Sequence, residues 1–374
     1  MPGNLDMGGI ETFVMNIYRN LDRSKIQFDF IVHKNEENYF EKEIISYGGK
    51  IYRLTNKSKH FFEYKKQFLS TITKYSIIHI HSVYAFSYFE AKWAKESGKT
   101  VILHSHNSNA ILKRKVVHYL LRKPQLKYLD MALYPSEQAH DWMFGKKSDQ
   151  FFSSALLHNG FKLEPFKFKE SSRNKLRTFY DLGANDIAIG CVARLDRQKD
   201  PEYLLRLFEK LIENKSENMY LFFVGEGSKK KKLKRRVNQK KINDNVKFVG
   251  NVNNVSDYLS MMDIFVLPTR YEGLGISIVE AQINGVPIVT SNNIPQEAIK
   301  NVSKVTLLPK NNFNLWVDAI SSFVQSNNRE DRYVDIEMFK DYDINVVTKK
   351  LCEIYLSIKK DDMAERNTRP CFRK

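Results

Sequence analysis

The chain has 374 residues and 42% of them are hydrophobic, which excludes wholesale disorder and leaves length for two ordinary domains. Sixty Lys and Arg against 43 Asp and Glu give a charge of +17, which favours anionic partners without choosing between nucleic acid, phosphorylated small molecules and an acidic membrane. The sequence shows no signal-peptide pattern, no apolar run near the ~20 residues of a membrane span, and three cysteines (Cys191, Cys352, Cys371) without metal-ligand spacing; a disulfide-free protein of the cytoplasm is expected.

In chain order, GGIETFVMNIYRNL sets Gly8 and Gly9 before a helical pattern. FDFIVH, KIYRL, SIIHIHS, TVILHSH and DMALYPS read as short strands, with FSYFEAKWAKE as a helix among them. From Ile111 to Leu129, six Lys or Arg and no acid interleave with Leu, Val and Tyr. This is either a cationic amphipathic surface fitted to an anionic membrane or a helix whose apolar residues face the core, and Pro124 argues against one long helix. GFKLEPFKFKESSRNK is polar and basic, carries Pro165 and reads as an interdomain linker.

From about Asp186 to Val324 the alternation is regular: IAIGCVA then PEYLLRLFEKLIEN, YLFFVG then a basic helix, VKFVG then VSDYLSMM. It continues as DIFVLPT then ISIVEAQIN, VPIVTS then IPQEAI, and VTLLP then NLWVDAISSFV. Strands alternating with helices at this spacing predict a parallel, doubly wound α/β sheet. The basic helix SKKKKLKRRVNQKKI holds nine cations and no acid; without interleaved aromatics it reads as a solvated face, not a nucleic-acid site. FKDYDINVVTKKLCEIYLSI is expected to return as a helix to the first domain. The resulting division is 1–165, 166–339, a returning helix over 340–358 and a disordered basic tail over 359–374, with two Rossmann-like domains facing a cleft at the strand C-terminal ends.

The segment PTRYEGLGISIVEAQINGVPIV carries the most chemistry. A strand ends at Pro268, a loop carries Glu272, and Gly273, Leu274 and Gly275 lead into a helix whose free N–H groups and dipole suit a diphosphate. Glu280, about two turns further, is placed to accept the hydroxyls of a ribose. Taken alone, Glu272 and Glu280 are also what a loop charge and a solvated helix charge look like. Arg194 and Lys199, in GCVARLDRQKD, lie between a strand end and a helix, where two cations can neutralise a diphosphate leaving group, although either one alone reads as a solvated surface charge. Gly8 and Gly9 before their helix read either as a second phosphate cradle of the same kind or as a common Gly-Gly turn. Asp341-Tyr342-Asp343 has the letters of a metal-holding Asp-x-Asp pair but reads as a structural corner, so no metal site is expected.

Together, GGIE, HSHNS, LHNGFKLEPF, ARLDRQKD, FVGEG, VKFVGNV and YEGLGISIVEAQINGVPIV, in this order, resemble glycosyltransferase family 4, the retaining enzymes of GT-B fold. The resemblance implies that Glu280 holds the donor ribose, Glu272 lies beside the donor sugar, Arg194 and Lys199 grip the diphosphate, and the Gly8–Gly9 loop closes over it. Val249, Gly250 and Val252 would seat the base through backbone groups. The N-domain histidine of the family falls on His106, with His104 as the alternative, and His81 also ends a strand. The implied activity is transfer of a hexose or N-acetylhexosamine from a UDP-sugar to a saccharide or polyprenyl-diphosphate-linked acceptor in capsule or exopolysaccharide assembly. It would need no cofactor beyond the donor, and the protein would sit in the cytoplasm or at the inner membrane face. A UDP-sugar 2-epimerase of the same fold, which needs no acceptor, and a non-catalytic binder of sugar nucleotides or polyanions are the alternatives. Family members open on a β-strand before the glycine loop; here only Met1 and Pro2 precede Gly3, so a truncated start is expected, with the first N-terminal strand missing.

Overall fold

The computed structural model describes residues 5, 8–33, 36–110, 112–148, 150–213, 218–326 and 332–368. They divide into two compact units, one formed by Met1–Phe161 with Asp341–Lys374, the other by Lys162–Lys340.

The first unit begins with α1 (Gly9–Asn20), β1 (Phe30–Val32), α2 (Glu41–Ser46), β2 (Ile51–Arg53), α3 (Phe61–Ile72) and β3 (Ile77–Ser82). It continues through α4 (Tyr88–Glu96), β4 (Thr100–Ser105), α5 (Leu112–Gln125), β5 (Met131–Tyr134), α6 (Glu137–Met143) and β6 (Ser153–Leu156). All ladders are parallel, in the orders β1-β2 and β3-β4-β5-β6. β4 is buried along its whole length, which explains its continuous apolar run Val-Ile-Leu. The residues before Gly3, on which the expected first strand turns, lie outside the described ones.

α5 does not turn all of its apolar residues to the core, as one of the two readings of 111–129 expected. Val116, Val117, Tyr119 and Leu120 are exposed, Leu120 by 69%, while His118 and Gln125 are the residues turned inward. His118 accepts from Ala85 N–H and bonds the Trp142 carbonyl, so polar groups anchor the helix and apolar ones face out. Contrary to expectation the helix runs through Pro124 to Gln125, and a 3₁₀ turn over Leu126–Tyr128 follows.

The second unit contains α7 (Glu170–Phe179), β7 (Ile187–Val192), α8 (Pro201–Glu213), β8 (Met219–Val224), α9 (Lys230–Lys240) and β9 (Val246–Gly250). α10 (Val255–Met261), β10 (Ile264–Leu267), α11 (Ile276–Asn284), β11 (Ile288–Ser291), β12 (Val305–Leu308) and α12 (Phe313–Ser326) complete it. Its sheet is parallel with the order β12-β11-β10-β7-β8-β9. Two expectations change here. The second half of the expected linker is helical, because Arg173 and Arg177 of α7 bind Asp263 and Arg173 also caps carbonyls at the end of α10. IPQEAI makes only a 3₁₀ turn at Gln296–Ala298, because the Gln282 side chain takes the N–H groups of Lys300 and Asn301 and donates to the Ala298 carbonyl. The basic face of α9 is tied to α8: Lys229 and Lys232 pair with Glu202, and Arg236 with Glu209.

α13 (Ile344–Thr368) then rejoins the first unit. Its Ile344, Val347, Leu351 and Tyr355 pack with Phe13, Val14 and Ile17 of α1 in one buried cluster. The helix runs through Lys359–Thr368, which the sequence reads as a disordered tail. Lys, Ala, Glu, Met and Arg there are good helix formers, and the first breaker is Pro370. Residues 369–374 lie outside the described ones. Among the described residues no helix is long and apolar enough to cross a membrane.

Candidate active site

In the second unit, parallel pairing brings the C-terminal ends of β9, β8, β7 and β10 to one edge of the sheet, and the loops after β7 and β10 meet there. Lys199 Nζ lies 2.6 and 2.7 Å from the two carboxylate oxygens of Glu272, although 73 residues separate them. Both side chains are largely buried, so each neutralises a charge that would otherwise be costly to desolvate. An ammonium has three N–H donors, so this pairing leaves one for a ligand. Residues with no obvious chemistry hold the pair. Asp196 Oδ1 accepts the N–H groups of Gln198 and Lys199 at 2.9 and 3.1 Å, fixing the turn. The Gln198 carbonyl accepts from Arg270 N–H and Thr269 Oγ1, and its amide donates to the Tyr271 carbonyl. Asp200 binds Arg270 and Lys310, and Lys310 also donates to the Pro268 carbonyl. Only the Asp-x-Gln turn of this framework left a trace in the sequence.

Gly275 caps α11 in the left-handed region, φ +92°, where a side chain would be strained. No side chain caps α11, so its first N–H groups face the glycine loop. Gly273 and Leu274 are buried beside it. Glu280 lies on α11, half-buried, and burial raises its carboxyl from 4.5 to about 7. Arg194 is different: its side chain is 69% exposed and sits 3.4 Å from Asp196. At the ends of β8 and β9, Gly225 N–H donates to the Gly250 carbonyl at 2.8 Å, and a Cβ on Gly225 would fall 2.2 Å from the Ala193 oxygen. This close approach pins Gly250, with half-buried Val249 and Val252 on either side.

In the first unit, Gly8 is the extended residue before α1 and Gly9 its first residue, again without a side-chain cap. Glu11 folds back over this helix start, its carboxylate 2.3 Å from where a Gly8 Cβ would be. A phosphate binding here must displace that acid. His81 and His104 are paired across β3 and β4, and His106 follows the end of β4. His81 Nδ1 and His106 Nε2 are 2.8 Å apart; His104 stacks on His106 with ring centres 4.2 Å apart. Phe13 of α1 packs its edge on His104. Of the two sequence candidates His104 is fully buried and His106 half-buried, with its Nδ1 buried and its Nε2 facing His81. Burial drives the His106 pKa down to about 3 and those of His79, His81 and His104 well below 6.5, so all four rings are neutral. His79, which bonds Tyr355 of α13, escaped sequence reading. Ring nitrogens of His79, His81 and His104 lie within 4.8 Å of one another, the one grouping among the described residues that can hold a metal ion. Asp341-Tyr342-Asp343 is a corner: Tyr342 stacks on His158 and Asp343 accepts the Asn345 N–H at the start of α13.

Residues 172–336 match the family of glycosyl transferases group 1, and residues 7–148 match glycosyltransferase family 4. EpsF of Bacillus subtilis (strain 168) is 27% identical over 327 residues, 85% of each chain. The capsular polysaccharide biosynthesis glycosyltransferase CapH of Staphylococcus aureus is 24% identical over 372 residues, 94% of this chain and 96% of CapH. HepE (Alr3699) of Anabaena, solved in complex with UDP, shares the fold with a TM-score of 0.76 at 16% identity, over 95% of this chain and 97% of HepE. With the two matches in order along the chain and the parallel sheets in place, the chain is a glycosyltransferase built of a family 4 domain and a group 1 domain, and it has the GT-B fold.

Proposed function

We propose that the protein transfers a hexosyl or N-acetylhexosaminyl group from a UDP-sugar to a saccharide or polyprenyl-diphosphate-linked acceptor, with retention, in capsule or exopolysaccharide assembly. The observation that carries this reading is the Lys199–Glu272 pair at the open N-terminus of α11, with Glu280 on the same helix. In this reading the ribose hydroxyls donate to Glu280, and the diphosphate lies against the N–H groups after Gly273 and Gly275, facing Lys199 and the exposed cation of Arg194. Gly250, with Val249 and Val252, meets the base. The bond from the sugar C1 to the diphosphate oxygen breaks as an acceptor hydroxyl attacks C1 from the same face, and its proton passes to the departing diphosphate. Negative charge grows on that diphosphate, where Lys199, Arg194 and the helix dipole stabilise it. These groups supply the charge that a divalent ion supplies elsewhere, so the reaction is proposed to proceed without one on the diphosphate. His106 is neutral in this scheme; it orients the transferred sugar or acceptor by hydrogen bonding and carries no charge.

UDP is favoured because HepE was solved with it, and a capsule role because CapH is named for one. The exposed apolar residues of α5, among Arg114, Lys123 and Lys127, suit an anionic membrane that presents a lipid-linked acceptor. The test is calorimetric titration of UDP, GDP and ADP into the protein and its Glu280→Ala variant. Selective UDP binding, weakened about tenfold or more by the substitution, is expected, since two hydrogen bonds to a carboxylate are lost. Absence of binding by a folded protein would sink the reading.

A further inference from the structure

The second unit contains a cavity of about 730 Å³ that the proposed reaction does not use. Asp263 and Pro287, which line it, stand just before β10 and β11, so it lies at the N-terminal ends of the strands, on the edge opposite the glycine loop. One wall is α7, through Arg173 and Arg177; another is the segment 332–336, which runs against the end of α11. Gly285 makes that contact possible, because a Cβ there would fall 2.5 Å from the Arg332 carbonyl oxygen.

Three guanidiniums line this space with one buried carboxylate. Asp263 commits both of its oxygens, one to Arg173 at 2.6 Å and the other to Arg177 at 3.1 Å. Arg332 is left with neutral partners, the Asn284 side chain at 2.8 Å and the Met262 carbonyl, and it forms no ion pair among the described residues. Glu170 and Asp335, the other acids of the lining, are exposed to water. A cation held away from water without a counter-charge is costly. Burial and then repulsion from Arg173 push the Arg332 pKa from 12.5 down to about 10. A guanidinium has five N–H donors, so its two bonds to Asn284 and Met262 leave donors for a ligand. Beside it the lining turns apolar: Arg332 lies 5.1 Å from the centre of the Phe168 ring, and Ile283, Pro287 and Val334 adjoin the same space.

We propose that this cavity is a second ligand site, separate from the donor site, and that it binds a small organic phosphomonoester. Arg332 takes the phosphate with Arg173 beside it, and the organic body lies against Phe168 and Ile283. A phosphate fits better than a carboxylate on charge: three guanidiniums exceed the one Asp263 carboxylate by two, and a phosphomonoester carries about two negative charges near pH 7. Its oxygens also match the planar fork of a guanidinium. The volume is more than a bare ion fills and falls within the roughly 300–1,000 Å³ usual for small-molecule pockets.

The experiment is calorimetric titration of phenyl phosphate, inorganic phosphate and phenol into the full chain at fixed ionic strength, with hydrogen exchange read by mass spectrometry. Phenyl phosphate is expected to bind, inorganic phosphate to bind about tenfold more weakly for want of an apolar body, and phenol not to bind. Bound phenyl phosphate should slow exchange at 170–177 and 332–336. Arg332→Gln should weaken it about tenfold or more and leave UDP affinity unchanged. Lys199→Gln with Glu272→Gln should leave phenyl phosphate affinity unchanged, which separates this site from the donor site; a failure of UDP to bind would touch the proposed reaction and not this cavity. No binding of phenyl phosphate by folded protein would overturn the proposal. So would binding that Arg332→Gln spares or that the Lys199 and Glu272 pair of substitutions abolishes. Should Arg332→Gln fail to fold, the exchange pattern of the unsubstituted protein decides, and protection elsewhere than at 170–177 and 332–336 overturns the assignment. Binding that appears only after Glu330→Gln with Asp331→Asn would overturn it as well, by assigning the cavity to the chain's own acids.

Discussion

Glu280 meets two demands that pull apart. Burial holds its carboxyl protonated up to about pH 7, whereas a ribose with two donating hydroxyls favours the carboxylate. Its folded pKa lies above the ordinary value of 4.5, so its stabilising contribution is fully present below that value and is lost as pH rises through 7. Glu280→Gln stays neutral throughout. It is expected to gain on the unsubstituted protein between pH 5 and pH 8, by up to about 3 kcal/mol, less whatever residual solvent access removes. Urea midpoints at the two pH values measure this, and a difference independent of pH would contradict it. UDP binding near pH 7 should also release protons, seen as a buffer-dependent binding enthalpy. The Lys199–Glu272 pair makes a different prediction. Lys199→Gln takes the cation from a buried carboxylate and should cost about 3 kcal/mol. Adding Glu272→Gln should recover most of that stability but no turnover; a double variant with unimpaired turnover would remove both residues from the chemistry. The resemblance to the family's motifs singled these residues out, since spacing alone fits a loop charge and a solvated helix charge equally well. That Lys199 and Glu272 touch was not legible, because the contact depends on β7 and β10 being neighbours in the sheet.

Elements are legible when their pattern is internal to them, and α5 shows the limit. Its composition suggested an amphipathic helix, yet composition is the same whether Val116, Tyr119 and Leu120 face the core or water. The decision lies with His118 and Gln125, whose polar groups find buried partners in the loop after β3 and in α6. Exposing four apolar residues on one cationic helix predicts membrane affinity that depends on both features. Sedimentation with vesicles containing about one-third anionic lipid should retain the protein at low salt. Val116→Asp with Leu120→Asp should lower the bound fraction several-fold without changing UDP binding, since the proposed contacts at Lys199, Glu272 and Glu280 lie in the other unit. Equal retention of this variant would mean that net charge alone draws the protein to lipid. α7 and the turn at Gln296 misled sequence reading for related reasons. In each, a side chain from a distant element, Asp263 or Gln282, supplies or takes the hydrogen bonds that decide where the helix starts or stops.

At the scale of the molecule, the chain enters the first unit twice. The strand–helix alternation that announces two α/β units is a local signal, so the architecture was readable from it. The return of the C-terminal helix to the first unit was also expected, whereas the sheet orders and the residues that α13 packs against depend on contacts between distant segments and were not legible. α13 brings Ile344, Val347, Leu351 and Tyr355 into the cluster that also holds Phe13, Val14 and Ile17, and Tyr355 bonds His79 beside the histidine cluster. Ending the chain at Asp343 strips those four side chains from one core and none from the other. Each large apolar residue removed from a packed core costs ~2–5 kcal/mol, and a domain of this size has ~5–15 kcal/mol to lose. The first unit should therefore unfold or lose fixed packing at 25 °C, while the second, with its own six-stranded sheet, keeps its structure. Thermal scans should lose one transition and retain another, and limited proteolysis should leave a fragment covering 162–340. Because the proposed donor contacts at Lys199, Glu272 and Glu280 all lie in that fragment, UDP should still bind within a few-fold of its original affinity even as transfer ceases. Loss of UDP binding from a shortened chain whose second transition is intact would show that the nucleotide needs the first unit, and would move part of the donor site to the Gly8–Gly9 helix start.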